Sequence, residues 1–173
     1  MRFKELKRLI YSDLCYARGS SIGIKHTILT IFFNPKFQLI CNYRVSMFLE
    51  ASSWGFLNIF TKYMNLIVFS SEISPCARLG ENIQFAHPIG LVIGNGVVIG
   101  NNVVIYQHVT IGGKNIGEGT YPMIKDNVTI FANATIVGNI EVSNNITIGA
   151  NSLVIHSCTD ESSVYAGVPA RKI

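Results

Sequence analysis

An aliphatic residue recurs at every sixth position through most of the second half of the chain. The longest runs are Ile93, Ile99, Ile105 and Ile111, followed by Ile124, Ile130, Ile136, Val142, Ile148 and Val154. A second aliphatic or small residue follows four positions after most of them, as Val97, Val103, Val109, Val128, Ala134, Ile140, Ile146 and Ser152. An upstream set obeys the same rule, with a two-residue slip before Ile93: Ile73, Leu79 and Phe85, with Ala77, Ile83 and Ile89. This period predicts a β-helix, whose short strands bury their side chains only by stacking on the next coil.

Small and polar residues occupy the positions where such coils turn. Asparagine lies three residues after many of the main aliphatics, as Asn102, Asn127, Asn133, Asn139, Asn145 and Asn151. It tolerates the left-handed backbone of a tight corner better than most residues. Glycines directly after the aliphatics are expected to serve the same corners: Gly94, Gly100, Gly112 and Gly149. His108 takes an asparagine position, three residues after Ile105, so it is a corner candidate and also a rival candidate for chemistry.

One interruption breaks the array. Thirteen positions separate Ile111 from Ile124, where the register requires six. The seven extra residues are predicted to leave the solenoid as a glycine-rich loop within residues 112–123. Functional residues often lie on such loops, because a rigid scaffold positions them.

Residues 1–70 differ from the array in both pattern and charge. We therefore predict an N-terminal helical segment (1–70) followed by a β-helix domain (71–173). The first holds nine Lys or Arg and three Asp or Glu, whereas the second holds five and seven. The basic segment is also aromatic, so it is expected either to lie against an anionic membrane surface or to form a helical cap whose aromatics pack internally. Because Glu50 and Lys62 interrupt its apolar run, a membrane-spanning helix is disfavoured. Its scattered cations make a nucleic-acid partner a weaker interpretation.

The four cysteines indicate a reducing compartment. They are widely spaced, lack a C-x-x-C motif and have no accompanying cluster of metal ligands. The basic N-terminus is not followed by an uninterrupted apolar region with a cleavage site. These features predict a cytoplasmic protein without a metal, peripheral to the inner membrane face if the helical segment binds lipid.

Three segments in order along the array carry a resemblance to a known family. Residues 86–94 read Ala-His-Pro-Ile-Gly-Leu-Val-Ile-Gly, residues 109–113 read Val-Thr-Ile-Gly-Gly, and residues 166–171 read Ala-Gly-Val-Pro-Ala-Arg. With them, the stretch 72–173 resembles the serine acetyltransferase branch of the hexapeptide-repeat acyltransferases, including its bacterial-polysaccharide relatives. The resemblance implies a left-handed parallel β-helix, acetyl-CoA as co-substrate, and a homotrimer in which the donor lies between two neighbouring β-helices.

The same resemblance assigns roles to individual residues. It places the general base at His87, since an imidazole titrates near neutral pH and can take a proton from an acceptor hydroxyl. It places the residue that holds this imidazole in its productive tautomer at Glu72, where the family usually has aspartate. Small residues that would let the donor approach closely are Gly112, Gly113, Ala132 and Ala150. Candidates for its phosphates are Lys114, Arg171 and Lys172.

Two departures from the family argue against serine as the acceptor. The family carries aspartate before the base and an Arg-His pair in the loop, whereas this chain has Ala86, Thr120 and Tyr121. We therefore expect a sugar hydroxyl of surface-polysaccharide synthesis as acceptor, with Tyr121 and His108 as candidate substrate contacts. The alternatives are serine O-acetylation with different binding residues and a non-catalytic scaffold. A metal-dependent hydratase is disfavoured, because the histidines lack the necessary spacing.

Overall fold

The structure, a computed structural model, describes residues 2–19, 23–114 and 119–173. Its first part is helical, with α1 (Phe3–Arg18), α2 (Ile24–Phe33), α3 (Pro35–Glu50), a 3₁₀ turn (Gly55–Leu57) and α4 (Asn58–Phe69). Asn34 is the N-cap of α3, because its side chain accepts hydrogen bonds from two backbone N–H groups of the first turn. Pro35 follows at the first helical position, where its fixed φ suits the helix.

Short strands then stack in five coils. The first coil comprises β1 (Glu72–Ile73), β2 (Arg78–Leu79) and β3 (Gln84–Phe85), and the second β4 (Val92–Ile93), β5 (Val98–Ile99) and β6 (Val104–Ile105). The third comprises β7 (Thr110–Gly112), β8 (Met123–Ile124) and β9 (Thr129–Ile130), and the fourth β10 (Thr135–Val137), β11 (Glu141–Val142) and β12 (Thr147–Ile148). The last holds β13 (Leu153–Val154) and β14 (Val164–Gly167), which pairs with the antiparallel strand β15 (Ala170–Lys172).

Strands one coil apart pair in parallel and form three sheets. Sheet 1 contains β1, β4, β7, β10 and β13; sheet 2 contains β2, β5, β8 and β11; sheet 3 contains β3, β6, β9, β12, β14 and β15. The predicted parallel β-helix with an N-terminal helical part is confirmed. The main aliphatics form its interior, and none of them is more than 6% exposed.

One predicted core position is wrong. Ile89 is 48% exposed, whereas Leu91 is fully buried. The corner between β3 and β4 is two residues longer than the corresponding corners above it, so the chain re-enters the solenoid at Leu91. Leu91 then lies two residues before Ile93, as Val97 lies two residues before Ile99.

The corners confirm most of the predicted asparagines and correct the role of the glycines. Asn102, Asn127, Asn133, Asn145 and Asn151 have φ angles between 55° and 61°. Asn139 was predicted wrongly: Gly138 has the positive φ instead, because β10 extends one residue further to pair Val137 with Gly112. Gly94, Gly100, Gly112 and Gly149 are not among the positive-φ residues. At Gly100 the small residue is needed because a Cβ would collide with the backbone of Lys125 and the carboxylate of Asp126 in the next coil.

The helical segment closes the open end of the first coil through α3. The Tyr43 hydroxyl donates a hydrogen bond to the Ala77 carbonyl at 2.7 Å. The fully buried Arg44 guanidinium donates to the carbonyls of Leu79 and Gly80 and pairs with Asp13 of α1. These bonds hold α1 and α3 against the coil that carries β1 to β3.

The aromatic residues of this segment mostly face outward. Those that are more than half exposed are Phe32, Phe33, Trp54, Phe56, Phe60 and Tyr63. Phe37 is buried and Phe48 is half-buried. The interpretation as a cap whose aromatics pack internally is therefore wrong for most of them. Within the described ranges, no helix combines the length and apolar character needed to cross a bilayer.

Candidate active site

His87 lies on a corner that the fold makes unusually long. We call the stack of corners between sheet 3 and sheet 1 the histidine edge; it consists of residues 86–91, 106–109, 131–134 and 149–152. The first of these corners has six residues and the others four, so two extra residues project His87 from the regular coil. The His87 side chain is exposed, and its backbone carbonyl accepts a hydrogen bond from Ile89 at 2.9 Å. The imidazole is therefore open to a substrate.

Aromatic side chains continue upward from His87 along this edge. The Tyr106 ring lies edge-on to the imidazole, with 6.0 Å between ring centroids. Phe131, one coil higher, lies 4.9 Å from Tyr106, centroid to centroid, at an interplanar angle of 33°. The sequence motifs identify neither residue. The repeat register could have identified them, because each directly follows a main aliphatic of sheet 3, Ile105 or Ile130. Both side chains must therefore point outward at the same corner.

His108 takes the structural role that its spacing predicts. Its φ of 57° matches those of the asparagine corners. Its ring packs against Gly90 of the coil below, where a Cβ would collide with the imidazole. The side chain is nevertheless exposed on the histidine edge, so a contact with substrate stays a prediction. Beside it, the buried amide oxygen of Gln107 has no hydrogen-bond partner among the described residues.

Ala132 and Ala150 lie higher on the histidine edge, and the C-terminal hairpin caps it. A Cβ at Gly149 would come within 2.9 Å of the Ala166 side chain, which shows how closely the hairpin stacks on this edge. Beyond it, Arg171 and Lys172 are exposed on β15. Lys172 pairs with Asp160 at 2.9 Å, and the hydrogen bond and negative charge of Asp160 raise the pKa of the lysine. Arg171 is therefore the freer cation at this end.

The other predicted donor residues lie at a different edge. Gly112 ends β7, and Gly113 and Lys114 follow it where sheet 1 turns toward sheet 2. We call this stack of corners the loop edge; its described residues are 74–77, 94–97, 112–114, 119–122 and 138–140. A Cβ at Gly112 would meet nothing within 4 Å, and Lys114 is exposed. The Tyr121 ring folds back over Gly96, whose positive φ and lack of a Cβ both allow it. The central loop residues 115–118 lie outside the described residues.

Sheet 1 separates the two edges. One side of the solenoid spans about six residues, or roughly 20 Å at about 3.3 Å per residue. His87, His108, Ala132 and Ala150 share the histidine edge, whereas Gly112, Gly113, Lys114 and Tyr121 share the loop edge. A single chain therefore does not bring the two sets together around one substrate.

Glu72 lies on β1 at the bottom of sheet 1, and its side chain is exposed. It lines a cavity of about 470 Å³ between α4 and the first coil, together with Lys62 and Tyr63. No hydrogen bond or ion pair joins its carboxylate to His87 in the described part of the chain. Its role as the partner of the imidazole stays a prediction.

Among the residues that the structure describes, neither metal ligands nor paired thiols cluster near these edges. Within the described ranges, no group of three or more His, Cys, Asp or Glu side chains lies close enough together to hold a metal ion. All four cysteines are free: Cys158 is buried, Cys15 and Cys41 are half-buried, and Cys76 is exposed.

The stacked coils and the projecting histidine define a hexapeptide-repeat protein of the left-handed β-helix class. No family model matches the chain. Known proteins do: the chain is 38% identical to a serine acetyltransferase of Buchnera aphidicola subsp. Schizaphis graminum over 166 residues, 95% of this chain and 63% of that one.

Solved structures give the same result over nearly the whole chain. A soybean serine acetyltransferase complexed with serine superposes with a TM-score of 0.86 at 33% identity, covering 98% of this chain and 70% of that one. A serine acetyltransferase in complex with CoA superposes with a TM-score of 0.85 at 31% identity, covering 99% and 71%. The chain belongs to the hexapeptide-repeat acetyltransferase family, to which these serine acetyltransferases are similar. It spans less than two-thirds of the length of the curated relatives that it matches.

Proposed function

We propose that the protein transfers an acetyl group from acetyl-CoA to a hydroxyl group, with His87 as the general base. The observation that carries this proposal is the match to serine acetyltransferases over 95% of the chain, at 38% identity. A related structure with CoA bound supports the donor. The exposed imidazole on its lengthened corner supports the assignment of the base.

The proposed chemistry is direct transfer. His87 takes the proton of the acceptor hydroxyl while the oxygen attacks the thioester carbonyl carbon. The tetrahedral intermediate then collapses, its carbon–sulfur bond breaks, and the imidazolium returns the proton to the leaving thiolate. A backbone N–H from the turn at Gly112 and Gly113 is proposed to stabilise the oxyanion. The step requires no acyl-enzyme.

The donor is proposed to lie along the histidine edge. Four coil spacings of about 4.8 Å separate the first coil from the last, which gives a groove of roughly 19 Å. His87 stands at one end of this groove and Arg171 at the other, with Ala132 and Ala150 between them. The small side chains allow close approach of an extended chain, and Arg171 is suited to its phosphates.

A second copy of the chain is proposed to complete the site. The loop edge and the histidine edge of one chain face away from each other, so only a neighbouring solenoid can place Gly112, Gly113, Lys114 and Tyr121 opposite His87. A closed homotrimer satisfies this requirement, because each protomer presents one edge to each neighbour. Multi-angle light scattering of the purified protein measures the oligomeric state, and a monomer at micromolar concentration contradicts the shared site.

For the acceptor we propose serine, as the names of the relatives and the complex with serine indicate. The comparisons thus favour the alternative over the sugar hydroxyl that the sequence predicts. A sugar remains the second candidate because of two observations. Ala86, next to the base, is buried and uncharged, so it cannot bind an ammonium group. The exposed Phe131 and the adjacent Tyr106 also offer the flat apolar faces on which sugar rings stack.

One assay tests the activity and the acceptor. CoA release from acetyl-CoA is measured with L-serine or with a panel of hexoses and hexosamines as the sole acceptor. Release with serine alone supports the first candidate, and release with a sugar alone supports the second. With the active acceptor, His87→Ala should reduce kcat/KM by about 10²- to 10⁴-fold, the usual contribution of a positioned general base. His156→Ala removes another exposed histidine and is the control. A scaffold without activity is indicated if no acceptor releases CoA.

Glu72 is tested by its effect on the pH dependence. If it orients the imidazole, Glu72→Gln should lower kcat and shift the acidic limb of the pH–rate profile, since the imidazolium loses a nearby negative charge. A loss of kcat without any shift of the profile would assign Glu72 a role apart from His87.

A further inference from the structure

Helix α4 buries its polar side. The side chains that face α3 include Asn58, Thr61 and Asn65, all less than 10% exposed. Asn42 of α3 donates hydrogen bonds to the Thr61 carbonyl at 2.9 Å and to the Asn65 side chain at 2.7 Å. Ser46 of α3 bonds to Asn58 at 3.1 Å. The contact between the two helices is thus a satisfied polar network rather than an apolar seam.

The opposite side of α4 is apolar and exposed. Its residues are Ile59, Phe60, Tyr63, Met64, Ile67 and Val68, each more than half exposed; we call this surface the α4 face. Ile67 is 76% exposed, and Trp54 and Phe56, just before the helix, are also exposed. A water-exposed helix normally shows the reverse arrangement, with its apolar stripe toward the protein core. Polar contacts between helices and apolar residues outside are typical of helices that contact lipid.

The charges of the helical segment indicate which apolar surface suits the α4 face. Neither α2 nor α4 contains an acidic residue, and each carries one lysine, Lys25 and Lys62. Residues 1–70 hold nine Lys or Arg against three Asp or Glu. Two of the three acids are already bonded within the protein, Asp13 to Arg44 and Glu50 to Asn58. A second copy of so basic a segment would be repelled, whereas an anionic bilayer would attract it.

We propose that the α4 face docks on the surface of an anionic lipid bilayer, with α4 lying in the interfacial plane. The apolar side chains enter the boundary between headgroups and acyl chains, and Lys62 of α4 contacts lipid phosphates. Trp54, exposed just before α4, suits the interfacial region where indole rings prefer to lie.

The cavity that contains Glu72 opens beside this surface. Ile59, Tyr63 and Lys62 of α4 line the cavity together with Glu72. Docking through α4 therefore holds the first coil of the solenoid next to the bilayer. The inference does not depend on the acyl transfer, because lipid binding is measured without substrate.

Vesicle flotation of the full chain tests the proposal. Vesicles of phosphatidylcholine alone are compared with vesicles that also contain phosphatidylglycerol, at about 0.1 M and about 0.5 M NaCl. Ile67→Glu places a negative charge in the middle of the α4 face. Ile173→Glu is the matched control, because Ile173 is similarly exposed but directly follows β15, away from the helices. Circular dichroism and sedimentation velocity accompany each variant.

The wild-type chain should float with the anionic vesicles, less so at the higher salt concentration, and only weakly with the neutral ones. Ile67→Glu should reduce the partition coefficient by about fivefold or more while keeping the helical signal, whereas Ile173→Glu should leave it unchanged. The proposal is overturned if the wild-type chain does not float with anionic vesicles, or if the two variants bind equally well. It is also overturned if Ile67→Glu changes only the sedimentation coefficient, since the α4 face would then be a contact between copies.

Discussion

Replacing Arg44 with methionine should strongly destabilise the junction between the helical segment and the solenoid. The side chain is fully buried and donates hydrogen bonds to both Asp13 carboxylate oxygens and to two carbonyls of the first coil, those of Leu79 and Gly80. Methionine fills similar space but leaves the Asp13 carboxylate buried without a partner. Removing one partner of a buried ion pair costs about 3–5 kcal/mol, which corresponds to a fall in Tm of roughly 10 °C for a chain of this size.

The loss should depend on pH in a defined direction. Burial raises the pKa of the Asp13 carboxyl, while the hydrogen bond and charge of Arg44 oppose this rise. Without Arg44, the effect of burial, which raises the pKa of Asp13, is no longer opposed. When the pKa of a carboxyl is higher in the folded than in the unfolded chain, the folded protein becomes less stable as pH rises between those two pKa values. Arg44→Met should therefore be less destabilised at pH 5 than at pH 8, because Asp13 takes up a proton.

Urea unfolding followed by circular dichroism at 222 nm measures this loss, since the helices give the signal. The double variant Asp13→Asn/Arg44→Met should recover part of the stability and lose the pH dependence. Arg8→Met is a control, because Arg8 also bridges the helical segment to the first coil, through Glu81, but in an exposed pair that solvent screens. A loss by Arg44→Met of less than about 1 kcal/mol, or one that is equal at pH 5 and pH 8, would refute the reasoning.

Three further predictions test the coils, the shared site and the thiols. Gly100→Ala should lower the Tm, because its Cβ meets the next coil, whereas Gly112→Ala, with open space around it, should not; overpacking costs about 1–3 kcal/mol. Co-expressed His87→Ala and Gly112→Phe chains, each inactive alone, should regain about a quarter of wild-type activity if a trimer shares its sites, and none if each chain holds a whole site. In thiol titration with Ellman's reagent, exposed Cys76 should react first and Cys158 should react only on unfolding, because burial raises the pKa of the Cys158 thiol to about 11; fast reaction of Cys158 in the folded protein would contradict this.

The repeat alone predicted most of the solenoid. A residue every six positions specifies its own neighbours, because residues one coil apart must stack whatever lies elsewhere in the chain. The interior from Ile93 to Val154 follows from this spacing, and so does the place of His108 at a corner. The longer corner that carries His87 corresponds to the two-residue slip before Ile93 in the sequence. The repeat rule nevertheless placed Ile89 in the core, which is wrong.

Contacts between separate parts of the chain decided the rest. Residue 100 must be a glycine because Asp126 in the next coil leaves no room for a Cβ there. No local sequence pattern contains this contact. The polar side of α4 is buried because Asn42 and Ser46 of another helix satisfy it. The division of the candidate site between two edges of the solenoid likewise arises only when the coils close. Periodicity encodes contacts with the next repeat, whereas these features depend on residues that meet without any regular spacing.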